Sequence, residues 1–226
     1  MASIDSMNAL LVDELRDIYD AEKRLTKAIP KMAKKAENEE LRSALEEHLQ
    51  ETQGQIARLE EAFEHLGEKA KGKPCAGMKG IIEEGEEHMS EDYEDDDLRD
   101  AVIIGSAQRV EHYEIAAYGT AIAHARLLEQ EEIVRLLEET LEEEKATDAR
   151  LTEIAESVVN LEAADQEEGE EGDEVMMMPG RGRQAASGQR ATAAASSRRS
   201  GASGAGRSGG RKSSGGRSGG RSSKAR

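Results

Sequence analysis

Apolar side chains recur at alternating steps of three and four residues in four stretches of the chain. The first stripe occupies positions 11, 15, 18, 22, 25, 29 and 32. This spacing places the side chains on one face of an α-helix. The pattern therefore predicts four long amphipathic helices that pack through these faces, with further stripes at residues 41–66, 104–122 and 137–158.

Polar caps and helix-breaking residues set the expected bounds of the helices. Asp5 or Ser6 can cap the first helix and Asn38 the second, because these side chains accept hydrogen bonds from free backbone N–H groups. Pro30 should kink the last turns of the first helix. The glycine-rich connection that follows Gly67 should hold one short helix. We expect the long helices at about 4–36, 38–66, 95–129 and 131–160, and the short helix at about 78–89.

The composition agrees with an all-α fold. The 226 residues include no Trp, one Phe and four Tyr, so a sheet-based core is not expected. Short connections between the first and second helices, and between the third and fourth, favour antiparallel neighbours. The predicted fold is a four-helix bundle with a short extra helix in the crossover.

Each of the four stripes is interrupted near its midpoint by an acidic residue or a histidine. If the helices pack antiparallel, their midpoints lie at one level of the bundle. Several carboxylates in a dry core repel each other by several kcal/mol, at an effective dielectric constant of about 20, unless cations lie between them. A solitary buried glutamate is instead often satisfied by an arginine or a tyrosine, and a solitary histidine such as His48 by a hydrogen bond. The carboxylates expected to converge are Glu22, Glu51, Glu111, Glu114 and Glu144.

Oxygen-rich sites in helical bundles suit iron and manganese. Known di-iron bundles use one Glu from each of two helices and a Glu-x-x-His pair from each of the other two. Here Gly54 stands three residues after Glu51, and Thr147 stands three residues after Glu144, so neither Glu-x-x-His pair is intact. The level-matched carboxylates still predict a di-iron or di-manganese centre.

Four sequence motifs, one in each long helix, resemble those of a known family. Residues 111–114, Glu-His-Tyr-Glu, are similar to the Glu-x-Tyr-Glu of rubrerythrin-type ferritin-like proteins. More closely, the chain between about Met7 and Asn160 resembles the YciF-like family of bacterial ferritin-like stress proteins. The motifs that carry this resemblance are residues 15–23, 48–52, 110–119 and 143–148.

The resemblance implies a ferritin-like bundle that forms a homodimer and holds a di-metal centre. It implies the same five glutamates as metal ligands. His48, Gln55 and Asp148 are candidates for the places that the missing histidines leave open. The bundle domain is expected to cover residues 1–161, and no catalytic residue is assigned.

The C-terminal part of the chain has a different composition and charge. Residues 175–226 hold 12 of the 31 Lys and Arg and none of the 48 Asp and Glu, although the whole chain has a net charge of −17. Residues 162–226 cannot bury enough apolar surface to fold, so we expect an acidic linker followed by a disordered basic tail. The basic residues at 181–226 favour non-specific binding of DNA or RNA. Association of the tail with the acidic bundle is the other possibility.

Other features limit the functional classes. The chain has no apolar run of membrane-spanning length and no charged-then-apolar leader at Met1, so a cytoplasmic protein without membrane association is expected. Cys75 is the single cysteine, which excludes an internal disulfide and is expected to be an ordinary loop thiol. The sequence contains no catalytic triad, phosphate-binding loop or zinc motif.

Two functions follow from these observations. The first is a di-metal carboxylate protein of the bacterial stress response, active in metal handling or oxidant defence. The alternative is a structural or DNA-associating stress protein with a degenerate metal site. In the alternative, the acidic residues in the stripes would be protonated or paired with Lys and Arg, and the basic tail would bind nucleic acid.

Overall fold

The computed structural model describes residues 4–164, and every regular element in that range is helical. A π-helical turn, Ala155–Val159, extends the last helix, which then continues to residue 164. Of the predicted linker and tail at 162–226, residues 162–164 continue this helix, and residues 165–226 lie outside the described residues. None of the described helices is long and apolar enough to cross a membrane. The five α-helices of the described range are α1 (Met7–Lys35), α2 (Glu39–His65), α3 (Ala76–His88), α4 (Asp96–Leu127) and α5 (Glu131–Ile154).

The four long helices form a bundle of two helical hairpins. Helix α1 packs along α2, α4 packs along α5, and the hairpins meet through the pairs α2–α5 and α1–α4. In the second hairpin Arg126 contacts Glu138, and Gln108 donates to Thr152 at 2.9 Å, so the two helices run antiparallel. Helix α3 lies against α4 and α1. This arrangement confirms the all-α four-helix bundle with one short helix in the crossover.

The helix starts follow the polar caps. Ser6, rather than Asp5, caps α1, because its hydroxyl oxygen accepts the Ala9 backbone N–H at 3.1 Å. Asn38 caps α2 by accepting two backbone N–H groups, each at 3.0 Å. Helix α1 continues through Pro30 for five more residues. Compared with these observed bounds, the bounds predicted from the periodic pattern and the caps agree to within a few residues at each end.

Two separate apolar clusters fill the two ends of the bundle. One contains Leu25, Leu41, Ile103 and Leu151 among its members. The other contains Leu15, Phe63, Tyr118 and Leu137 among its members. On every long helix, at least one buried acidic or imidazole side chain lies between residues of the two clusters, as Glu22 does between Tyr19 and Leu25 on α1. The buried Asp100 lies outside this level, near the start of α4. The fold thus has a polar belt at its middle, which we define as Glu22, His48, Glu111, Glu114 and Glu144.

Candidate metal centre

Four side chains from three helices bring their ligand atoms together inside the bundle. His48 comes from α2, Glu111 and Glu114 from α4, and Glu144 from α5. One ligand atom from each residue lies within 4.8 Å of the corresponding atoms of the other three. All four residues are buried, with at most 3% of their surface exposed. The group therefore has the donor atoms and the spacing to hold a metal ion.

Helix α1 supplies the fifth member of the polar belt. Glu22 is fully buried and accepts a hydrogen bond from the Tyr118 hydroxyl through one carboxylate oxygen. Its charge interacts with those of Glu114 and Glu144. All four long helices thus contribute a buried ligand-type side chain at the same level of the bundle.

Most inward-facing ligand atoms of the belt lack a hydrogen-bond partner among the described residues. Buried polar atoms in folded proteins are nearly always paired, and a charged one left alone costs several kcal/mol. Carboxylate oxygens and an imidazole nitrogen are also the atoms that bind divalent cations. The belt therefore fits a metal centre. The unpartnered atoms are Glu22 Oε2, His48 Nε2, Glu111 Oε2, both carboxylate oxygens of Glu114, and Glu144 Oε2.

Burial and mutual repulsion dominate the electrostatics of the belt. Desolvation is the main cause that raises the pKa of Glu22, Glu111, Glu114 and Glu144 above the ordinary glutamate value. For the first three, the charge of a neighbouring carboxylate raises the pKa further. Without cations, burial and repulsion therefore favour protons on these carboxyl groups. Metal binding would release those protons, because a bound carboxylate is deprotonated.

The structure places two other expected ligands, Glu51 and Asp148, at the rim of the belt. The Glu51 side chain is 43% exposed, and its Oε2 lies 3.6 Å from His48 Nδ1. The nearby His48 is the main cause that lowers the pKa of Glu51. Asp148 Oδ1 accepts from Gln108 Nε2 at 3.1 Å and lies 3.4 Å from His112 Nε2. Neither carboxylate joins the group of four, and their role as ligands stays a prediction.

Gln55 and Arg58 of α2 connect the belt to α5 through hydrogen bonds and an ion pair. The Gln55 amide donates to Glu144 and, at 3.1 Å, to Glu143. Arg58 forms an ion pair with Glu143, and its charge also acts on Glu22. Gln55 is fully buried, and its Oε1 has no partner among the described residues. Gln55 therefore contacts the belt by its hydrogen bond to Glu144. Its own role as a ligand stays a prediction.

Sequence reasoning missed two contributors to the site. Tyr118 occupies an apolar stripe position, and only its distance of four residues from Glu114 indicates that its hydroxyl could reach the belt. Thr147 occupies the place of a histidine in a Glu-x-x-His pair. Its hydroxyl lies 3.4 Å from His48 Nδ1 and 3.5 Å from Glu51 Oε2. No periodic pattern distinguishes such a threonine from a surface residue.

Comparisons with known proteins agree with this architecture. Protein YciF of Escherichia coli K12 is 44% identical over 162 residues, which are 71% of this chain and 97% of YciF. The crystal structure of this E. coli stress protein matches with a TM-score of 0.66 and covers 69% of this chain and 98% of its own. YcfI from Rhodopseudomonas palustris is 47% identical, with a TM-score of 0.65 over 66% of this chain and 95% of its own.

A more distant protein shares the fold. The crystal structure of a protein from Xanthomonas campestris pv. campestris matches at 23% identity with a TM-score of 0.57, over 72% of this chain and 99% of its own. The family described as "Domain of unknown function (DUF892)" matches residues 6–164. This match and the identity to YciF show that the chain belongs to the DUF892 family of YciF-like proteins.

Proposed function

We propose that this protein is a ferritin-like metal-binding protein of the bacterial stress response, with two transition-metal ions in its polar belt. The observation that carries the proposal is a set of buried ligand atoms from four helices, which have no hydrogen-bond partner among residues 4–164. Similarity to a protein described as a stress protein supports the setting. The activity that fits is metal handling or oxidant defence, with iron or manganese as the metal.

The set of donor atoms supports iron or manganese as the metal and two as the number of ions. Four carboxylates and one imidazole suit Mn²⁺ and Fe²⁺, and helical bundles with such glutamates commonly hold two ions. His48, Glu111, Glu114 and Glu144 would hold the ions, and Glu22 would complete the centre from α1. Glu51 and Asp148 are further ligand candidates at the rim. When bound, such ions supply Lewis acidity and electron transfer to oxygen or peroxide.

The surrounding residues prepare the site. The two apolar clusters exclude water above and below the belt. Tyr118 fixes one oxygen of Glu22 and leaves the other free to bind a cation. Gln55 holds Glu144 in the same way from α2. The chain therefore presents ligands in fixed positions, and these ligands need little rearrangement to bind metal.

Metal content tests the proposal directly. Full-length protein is depleted of metal, incubated with Mn²⁺ or, without oxygen, Fe²⁺, and then measured by mass spectrometry after desalting. We expect about two ions per chain in the wild type and a large loss in Glu111→Ala and in Glu144→Ala. Each variant removes one of the four clustered ligands.

The matched control is Glu142→Gln on the same helix as Glu144. The Glu142 side chain is 74% exposed and pairs with Lys145, so its loss should leave the metal content unchanged. A wild-type protein that retains no ion, and whose stability does not respond to metal, would contradict the proposal.

A second candidate function is supported by the charge of the C-terminal segment. The 12 positive charges in residues 175–226 favour non-specific nucleic-acid binding through phosphate neutralisation. We propose this as the alternative role of the protein, either beside the metal centre or in place of it. Formation of a homodimer likewise stays a prediction.

A gel-shift titration on duplex DNA tests this alternative. We expect full-length protein to bind with an affinity that falls steeply with salt, by about 0.9 logarithmic units per tenfold salt increase for each phosphate contacted. A chain ending at Ala164, where the family match also ends, should lose both affinity and salt dependence. Equal binding by the two chains would assign DNA binding to the bundle and contradict the role of the tail.

A further inference from the structure

His48 is the only nitrogen ligand in the group of four, and its two ring nitrogens face different surroundings. Nε2 lies 3.4 Å from Glu111 Oε1, is buried, and has no hydrogen-bond partner among the described residues. Nδ1 faces the rim, where it lies 3.6 Å from Glu51 Oε2 and 3.4 Å from Thr147 Oγ1. One nitrogen therefore points to the candidate metal centre and the other to a carboxylate outside it.

We propose that Glu51 is a positioning residue that holds His48 with Nε2 directed inward, and that it thereby sets the preference of the centre for transition-metal ions. This inference rests on the proposed metal centre. It gives Glu51 a function that acts through His48, as the alternative to its role as a direct ligand.

The Glu51 carboxylate and the Thr147 hydroxyl favour one tautomer of the neutral His48 imidazole. A neutral imidazole has one N–H, and an ionised carboxylate can only accept a hydrogen bond. Glu51 therefore favours the tautomer with the proton on Nδ1 and a lone pair on Nε2. The Thr147 hydroxyl, 3.5 Å from Glu51 Oε2, can donate to Glu51 while it accepts from Nδ1–H. Histidine ligands of metals commonly donate their second N–H to a carboxylate, and here the Thr147 hydroxyl lies between Nδ1 and Glu51 and links the two.

The position of Glu51 on α2 suits this role. It follows His48 by three residues, so both side chains lie on neighbouring positions of one helix surface. His48 faces the core, whereas Glu51 lies beside the buried face and keeps 43% of its side chain exposed. Glu51 can thus stay ionised at little cost, unlike the buried carboxylates of the belt.

An oriented nitrogen donor changes which ions the centre prefers. Sites made of oxygen atoms alone suit Mg²⁺ and Ca²⁺, whereas imidazole adds affinity for transition metals. If His48 turned its protonated nitrogen inward, it could no longer act as a ligand. The remaining carboxylates would then bind Mn²⁺ and Mg²⁺ with more similar affinities.

Glu51→Gln in the full-length protein tests this role. Isothermal titration gives the dissociation constants for Mn²⁺ and for Mg²⁺, and thermal unfolding of the metal-free protein reports the integrity of the fold. We expect Mn²⁺ binding to weaken by about 10- to 100-fold, the usual effect of losing such a partner, and Mg²⁺ binding to change much less. Thr147→Ala, a second variant, should lower the ratio of Mn²⁺ to Mg²⁺ affinity in the same direction.

Glu47→Gln is the matched control. Glu47 precedes Glu51 by one helical turn, is 56% exposed and pairs with Arg150, so the variant loses the same charge without losing contact with His48. Unchanged Mn²⁺ affinity in Glu51→Gln, or an equal loss for both ions, would overturn the positioning role. A wild-type protein that binds neither ion would instead overturn the metal centre itself.

Discussion

Saturating Mn²⁺ is expected to raise the melting temperature of the protein by about 5–11 °C for each ion bound. An ion present at about 100 times its dissociation constant stabilises the native state by about 2.7 kcal/mol. For a chain of this size, each kcal/mol corresponds to about 2–4 °C. The ion stabilises the native state because it pairs with buried ligand atoms that have no other partner within residues 4–164. Circular dichroism melting curves with and without Mn²⁺ measure the shift.

The variants separate this effect from general ion binding. Glu111→Ala removes a ligand from the group of four and should abolish most of the shift. Glu142→Gln removes an exposed charge from α5 and should preserve it. A shift of the same size in all three proteins would show that Mn²⁺ acts on the acidic surface, and the polar belt would not be its site.

Raising the pH from about 4 to 9 is expected to destabilise the metal-free protein, and this effect should be reduced in Glu114→Gln. Burial raises the native pKa of Glu22, Glu111, Glu114 and Glu144, whereas an unfolded glutamate has a pKa of about 4.3. Above this value the native state binds more protons than the unfolded state. The free energy of unfolding therefore falls with rising pH, until the pH exceeds the raised native values.

The size of the effect follows from the number of protons retained. Each additional proton held by the native state contributes a slope of about 1.4 kcal/mol per pH unit. Neither carboxylate oxygen of Glu114 has a hydrogen-bond partner in the described part of the chain, and glutamine at this position cannot ionise. Metal-free Glu114→Gln should therefore resemble the wild type near pH 4 and be more stable at pH 8.

Urea unfolding of metal-free protein at several pH values measures this difference. Glu142→Gln serves as a control for repulsion among exposed acidic residues, and it should change the slope little. Equal pH dependence of Glu114→Gln and the wild type would show that Glu114 is ionised without cost. Saturating Mn²⁺ should reduce the destabilisation of the wild type at high pH, because it replaces the protons.

The stripes predicted the fold because each long helix buries one face in the interior of the bundle. Steps of three and four residues placed Glu22, His48, Glu111 and Glu144 in that face, and all four are buried. Glu114 lies beside the predicted stripe and is equally buried. Helix α4 contacts α1, α3 and α5, so its buried face is wider than one stripe.

The depth of a side chain beside a stripe could not be predicted from one helix alone. Glu51 and Asp148 were expected in the same centre, but the structure places them at its rim. Asp148 even occupies a stripe position, yet its side chain is 23% exposed and pairs with Gln108 and His112 on α4. Which neighbour a side chain meets depends on the rotation of the packed helices, and periodicity does not define that rotation closely.

The polar belt between the two apolar clusters also reverses the usual distribution of stability along a helix. Helices ordinarily open first at their ends, but here the ends of the long helices pack in dry clusters and their centres surround buried charge. In the metal-free protein, backbone amides near the helix centres should therefore exchange with solvent hydrogen sooner than their position suggests. A bound cation would therefore stabilise the centres of the long helices and slow this exchange.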